Sequence, residues 1–118
     1  MPAALGRLKK RSEFLAVAAT NRRATAPGLM LQAKSAPTDD ETPETGLRLG
    51  FTATKKIGNA VKRNRARRRL RAAAAQVLGS VSANADLVLV ARQDTIKRPF
   101  AELKRDIENT LRRVGIAR

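Results

Sequence analysis

The stretch LRLGFTATKKIGNAVKRNRARRRLRAAAAQVL, residues 47–78, changes its period once, and that change decides the fold. Residues 47–54 alternate: Leu47, Leu49, Phe51 and Ala53 point one way, and Arg48, Gly50, Thr52 and Thr54 the other. A period of two predicts a strand. From Asn59 onward the period becomes helical. Ala66, Leu70, Ala73 and Val77 fall at i, i+4, i+7 and i+11 and form one apolar stripe. Asn59 after Gly58 reads as an N-cap, and Gly79 stands where the helix stops, so the helix is placed at 59–78. At 100° per residue, Asn64, Arg65, Arg68 and Arg71 project opposite the stripe, while Arg63 and Arg67 flank it.

The surrounding sequence extends this strand–helix pair. ADLVLVA, residues 85–91, is a continuous apolar run that fits a strand buried on both faces, with Asp86 and Asp94 flanking it. Residues 99–114 read as a final helix, with Pro99 at N1 and a stripe of Phe100, Leu103, Ile107, Leu111 and Val114. Upstream, residues 1–7 read as a frayed terminus and 8–20 as a short helix presenting Phe14, Leu15, Ala18 and Ala19. Residues 21–28 read as a turn, and 29–34 alternate weakly as a strand. SAPTDDETPETG, residues 35–46, holds four of the ten acids and no base. It is expected to be a flexible, solvated loop that points away from any polyanion. The order is α-β-β-α-β-α: one α/β domain over 1–118, an α+β sandwich with a small mixed sheet of three to four strands.

Composition narrows the chemistry. The 118 residues carry 25 Lys plus Arg against 10 Asp plus Glu, a net charge of +15, with no Cys and no His. Disulfides, thiol catalysis, imidazole acid–base chemistry and thiolate or imidazole metal sites are excluded. The carboxylates do not converge as a two-metal nuclease requires. No catalytic residue and no protein-bound metal is expected. Such charge opposes compaction unless an anionic partner is present, and nucleic acid is the commonest. No run approaches a membrane span of ~18 apolar residues, and the short apolar run Phe14–Ala19, interrupted upstream by Glu13, reads as a helix of a cytoplasmic protein rather than a signal peptide.

The basic residues concentrate in KKIGNAVKRNRARRRLR, residues 55–71, which has nine bases and no acid. Like charges at i,i+3 and i,i+4 each weaken a helix, so this density serves something besides folding. Arginine forks hold phosphate oxygens in pairs of hydrogen bonds and stack on bases. Nucleic-acid binding is the expectation. A second cluster, Arg7, Lys9, Lys10, Arg11, Arg22 and Arg23, suggests a second phosphate track. Phe51 and Phe100 fit core positions, whereas Phe14 reads either as core or as a stacking platform.

RLGFTATKKIGNAVKRNRARRRLR (48–71), with RLKKRSEF (7–14) before it and ADLVLVAR (85–92) after it, resembles the protein subunits of bacterial ribonuclease P. The resemblance spans nearly the whole chain. It implies a role in removing the 5′ leader from precursor tRNA, as part of a ribonucleoprotein endoribonuclease whose RNA subunit is catalytic and uses Mg²⁺. The polypeptide would bind the leader and stabilise RNA and metal binding. By the same resemblance, Lys55, Lys56, Asn59, Lys62, Arg63, Asn64, Arg65, Arg67, Arg68 and Arg71 would face the RNA subunit. Arg7, Lys9, Lys10 and Phe14 on one side, and Arg48, Thr52 and Thr54 on the other, would line a leader cleft. Ala18 and Gln32 stand where relatives often carry further aromatics. The resemblance also implies a left-handed β-α-β crossover, against the general right-handed rule. Three other readings compete. The first is a basic ribosomal protein of similar size and charge; co-purifying RNA separates the two. A membrane-surface protein would need a wider apolar face, and a DNA reader would need helix-turn-helix spacing. No membrane or DNA partner is expected.

Overall fold

Thr54, where the period changes, is where the chain leaves a sheet and turns toward a helix. A computed structural model of the protein describes residues 6–35, 46–79, 81 and 83–116. Within them run β1 (Gly6–Arg7), α1 (Arg11–Ala19), β2 (Arg23–Ala26), β3 (Leu29–Ser35), β4 (Leu47–Ala53), α2 (Ala60–Leu78), β5 (Ala85–Ala91) and α3 (Phe100–Arg113). The expected acidic loop lies outside the described residues except at its ends, Ser35 and Gly46.

The sheet has five strands in the order β1-β4-β5-β3-β2. The expected three to four strands were too few, and the two extra ones lie in segments read as terminus and turn. β1 pairs parallel with β4 through only Gly6↔Arg48 and Arg7↔Leu49. β2 pairs antiparallel with β3 from Arg23↔Gln32 to Ala26↔Leu29. Both are edge strands too short to show alternation. The three longer strands match the expected ranges to within a residue. β4 and β5 are parallel neighbours joined through α2, and β3 is antiparallel to β5.

The strands' period of two divides the apolar residues between the sheet's faces. Leu29, Leu31, Ala33, Leu47, Leu49, Ala85, Leu87 and Leu89 pack with Ala66, Leu70, Ala73, Leu78, Leu103, Ile107 and Leu111 from α2 and α3. The stripes read from the sequence are those that reach this core. The opposite face holds a smaller cluster of Leu8, Val17, Val88 and Val90, with Phe14 and Met30 against it. Here α1 covers the sheet. Its inward residues are Phe14 and Val17, whereas Leu15 is 55 % exposed and Ala18 and Ala19 face outward, contrary to the expected face. FLAVAA is apolar throughout, so spacing alone did not select a side.

Asp86 corrects a second expectation. It lies inside β5, is 5 % exposed and sits opposite Arg48 in the β4–β5 register. Pro99 is the N-cap of α3 rather than its first helical residue.

Candidate nucleic-acid interface

The root of α2 is built by backbone geometry. Lys55–Ile57 form a 3-10 turn, and Gly58 follows at φ 131, a conformation that side chains rarely adopt. The Asn59 side chain then accepts the Lys62 N–H at 3.0 Å and caps the helix. At this end of the molecule the C-terminal ends of the parallel strands β4 and β5 open into a crevice of about 510 Å³. Thr54, Lys55, Lys56, Arg92 and Gln93 are among the residues that line it. The structure thus places Thr54 beside Lys55 and Lys56. The mouth of parallel strands is a common ligand position in α/β sheets, and here it is basic.

Along α2 the cations separate into three kinds. Lys62, Arg65 and Arg68 are exposed, as is Asn64. Arg63 and Arg67 are partly buried on the flank: Arg63 donates to the Gly58 carbonyl at 3.0 Å, and Arg67 donates to the Asn64 side chain. Arg71 is exposed, with its guanidinium 5.6 Å from the centre of the Phe51 ring. Arg69 behaves differently. It turns from the outer face and donates to the carbonyls of Thr95, Ile96 and Arg98 at 2.6, 2.5 and 2.6 Å. One arginine of the run is therefore a clamp on the loop before α3, and charge alone does not distinguish it from its neighbours.

The α1 face carries the other group of predicted residues. Lys9 and Lys10 are exposed at its start, whereas Arg7, also exposed, pairs with Leu49 on the edge strand β1 and lies beside Phe51 and Arg71 on the α2 side of the sheet. The Glu13 carboxylate accepts the N–H groups of Lys9 and Lys10, each at 3.0 Å, and closes the first turn of α1. The Phe14 ring lies against Gly50 of β4: a Cβ added there would stand 2.4 Å from its Cε2. Phe14 is thus partly buried against the sheet, with an edge left to solvent. Thr52 follows two residues after Gly50 on the same face, partly exposed. Gly50→Ala should displace the Phe14 ring and lower stability by about 1–3 kcal/mol. Thermal unfolding checks this, and an unchanged Tm would refute the close packing.

Arg48 does not stand free in this cleft. It donates to both Asp86 oxygens at 2.9 and 2.8 Å and to Glu13 Oε2 at 2.7 Å. It joins the sheet to α1 and so positions that helix. The signal was present in the sequence: Arg48 and Asp86 each occupy the second place of adjacent parallel strands. Arg22, counted with the second cluster, donates to the Val114 carbonyl at 2.7 Å and the Ser35 hydroxyl at 2.9 Å. Arg98 pairs with Asp106 at 2.9 Å and with Glu102 at 3.7 Å. Glu13, Asp86, Glu102 and Asp106 are thus held by internal partners, while Asp94, at the crevice, and Glu108 are exposed among a larger number of cations.

The N–H groups of Lys10 and Lys9, followed by Arg48, hold the Glu13 carboxyl down at about 2. A depressed carboxyl stabilises the fold fully above its unfolded value and loses that contribution as pH falls through the folded one. Stability should therefore be flat between pH 6 and 9, where no histidine titrates, and should decline from about pH 5 toward 2. Glu13→Gln should flatten part of that decline. Thermal unfolding across buffers measures it, and an unchanged acid limb in the variant would contradict the assignment.

Among the described residues no group of three or more His, Cys, Asp or Glu side chains stands together. Nor is any of their helices long and apolar enough to cross a membrane.

The sequence and the fold recur in known proteins. The family model described as Ribonuclease P matches residues 3–115. The Ribonuclease P protein component of Paramagnetospirillum magneticum is 52% identical over 116 residues, covering 98% of this chain and 86% of that one. That of Gluconacetobacter diazotrophicus is 51% identical over 111 residues, covering 93% and 91%. The Staphylococcus aureus RNase P protein structure superposes with a TM-score of 0.74 at 22% identity, covering 95% and 97% of the two chains. The Thermotoga maritima protein does so at 0.69 and 20% identity, covering 87% and 92%. The two structures share the fold, and the match over residues 3–115 together with the two close relatives shows that the chain belongs to the ribonuclease P protein family.

Proposed function

We propose that this chain divides its work as the protein subunit of ribonuclease P between two basic surfaces on opposite faces of one sheet. Its role is in a ribonucleoprotein endonuclease that processes tRNA, and the polypeptide is not the catalytic part. The outer face of α2, with Lys62, Arg63, Asn64, Arg65, Arg67, Arg68 and Arg71, together with Lys55, Lys56 and Asn59 at its root, docks on the RNA subunit. The α1 face, with Lys9, Lys10, Phe14 and Thr52, holds the 5′ leader of precursor tRNA, and Arg7 reaches it from the β1 edge of the sheet. The observation that carries this division is that α1 and α2 cover opposite faces, each with its own exposed cations. A ribosomal role is not favoured by the family match.

Leader binding here leans on charge. Ala18 faces solvent and Gln32 is not aromatic, and each stacked base absent forgoes about 1–3 kcal/mol. Mg²⁺ belongs to the RNA subunit in this reading. The same reading places the protein in the cytoplasm and gives the β4–α2–β5 unit a left-handed crossover.

The test is reconstitution with the RNA subunit, followed by precursor and mature tRNA binding. Phe14→Ala should weaken precursor and spare mature tRNA, whereas Arg65→Ala should weaken RNA-subunit binding. Equal loss for both tRNAs in the first variant, or intact assembly in the second, would overturn the division.

A further inference from the structure

The sheet edge beside β1 holds a feature that RNA docking through phosphates does not require. β1 covers β4 only at residues 48 and 49, so the chain beyond them opens into a recess of about 250 Å³. Gly6, Arg7, Leu49, Phe51, Arg71 and Ala75 line it. Gly6 has no side chain and Ala75, one turn after Arg71, contributes only a methyl group, so the recess has a low rim. Phe51, expected in the core, packs against its margin and stays partly exposed here, and its ring carries the Arg71 guanidinium at 5.6 Å.

That pairing has a consequence for Arg71. Among the described residues, its guanidinium makes no hydrogen bond or ion pair. Arg69 is bound to three carbonyls and Arg63 to one, so Arg71 is distinguished by being positioned without having its donors occupied. A guanidinium held over an aromatic ring keeps a planar outer surface and free N–H groups at its edges. Planar guanidinium and aromatic groups are the surfaces on which unpaired RNA bases stack. The exposed Arg7 at the rim supplies a cation for a flanking phosphate.

We propose that Phe51 and Arg71 form a prebuilt platform that receives one unstacked RNA base in this recess. The proposal rests on the RNA-docking role of α2 given above and adds to it a base contact in place of a purely ionic one. The base can come from the RNA subunit or from the precursor leader, and the experiment separates these sources.

Holoenzyme is assembled from the full chain carrying Phe51→Leu, Arg71→Lys, Arg71→Ala, or Phe51→Leu with Arg71→Lys. Affinity for the RNA subunit, and for precursors with and without a leader, is measured over a KCl series. Phe51→Leu retains apolar bulk and every charge, and it should weaken one of these affinities about fivefold or more. The slope against KCl should not change, because no phosphate contact is lost. Arg71→Lys keeps the charge but loses the plane, so it should match Phe51→Leu, and the double variant should be no worse than either single one. A loss confined to RNA-subunit binding assigns the base to that RNA, and a loss confined to leader-bearing precursors assigns it to the leader.

The proposal is overturned if Phe51→Leu, at matched thermal stability, binds all three RNAs like the parent, or if the two losses simply add. Should Phe51→Leu fail to fold, Arg71→Lys against Arg71→Ala decides: a platform requires lysine to be as poor as alanine, and full rescue by lysine refutes it. If Arg65→Ala weakens assembly while Phe51→Leu does not, only the platform falls; if both are neutral, the docking role of α2 falls with it.

Discussion

Raising KCl from about 50 to 200 mM should lower the affinity of the RNA-free chain for the RNA subunit by about 10³-fold. The expectation follows from where the charges end up. Four acids are consumed internally by Arg48 and Arg98. Lys55, Lys56, Lys62, Arg65, Arg68 and Arg71 remain exposed along one continuous segment. With about six phosphates neutralised, log K should fall against log [KCl] with a slope near −5. A titration at several salt concentrations measures this. Arg65→Ala and Arg68→Ala should each reduce the slope by about one while leaving Tm unchanged. A slope near zero would mean that the cations on α2 do not meet phosphate.

Arg69→Ala should do the opposite: lower the stability of the fold by about 2–4 kcal/mol and leave the salt slope intact. Its guanidinium closes three carbonyls at the entrance to α3. Without it, those acceptors must find water or stay unsatisfied, and the loop that precedes α3 loses its tie to α2. Chemical denaturation of the variant, set beside an RNA titration under native conditions, separates the two effects. An unchanged unfolding midpoint together with a shallower slope would make Arg69 an RNA contact after all.

Arg69 also marks the limit of what the sequence made legible. Periodicity located α2, α3, β3 and β4, because each is long enough for a period of two or 3.6 to repeat, and an unbroken apolar run located β5, which is buried throughout. β1 and β2 are short and lie on the edges, and nothing in GR or RATA distinguishes an edge strand from a terminus or a turn. The orientation of α1 was misread because its apolar residues surround the helix; burial of Val17 was decided by the sheet beneath it. In the interface, the angular order along α2 correctly turned Asn64, Arg65, Arg68 and Arg71 outward. The internal partners of Arg22 and Arg69 were hidden because a guanidinium that meets a carbonyl or hydroxyl 13 to 92 residues away leaves no local mark. Arg48 and Asp86 were the exception, since aligning the two parallel strands sets them side by side.

The unequal cores on the two sides of the sheet have a dynamic consequence. α2 and α3 rest on the larger core, whereas α1 is seated on a few aliphatic side chains, tied at one end by Glu13 and Arg48 and at the other by the Thr20 hydroxyl on the Ala33 carbonyl at 2.8 Å. Elements attached this lightly open at free energies well below global unfolding. Under the division of labour proposed above, the wall that grips each incoming strand is then the part of the molecule that yields first. It can relax between turnovers while the opposite side stays anchored to its long-lived RNA companion.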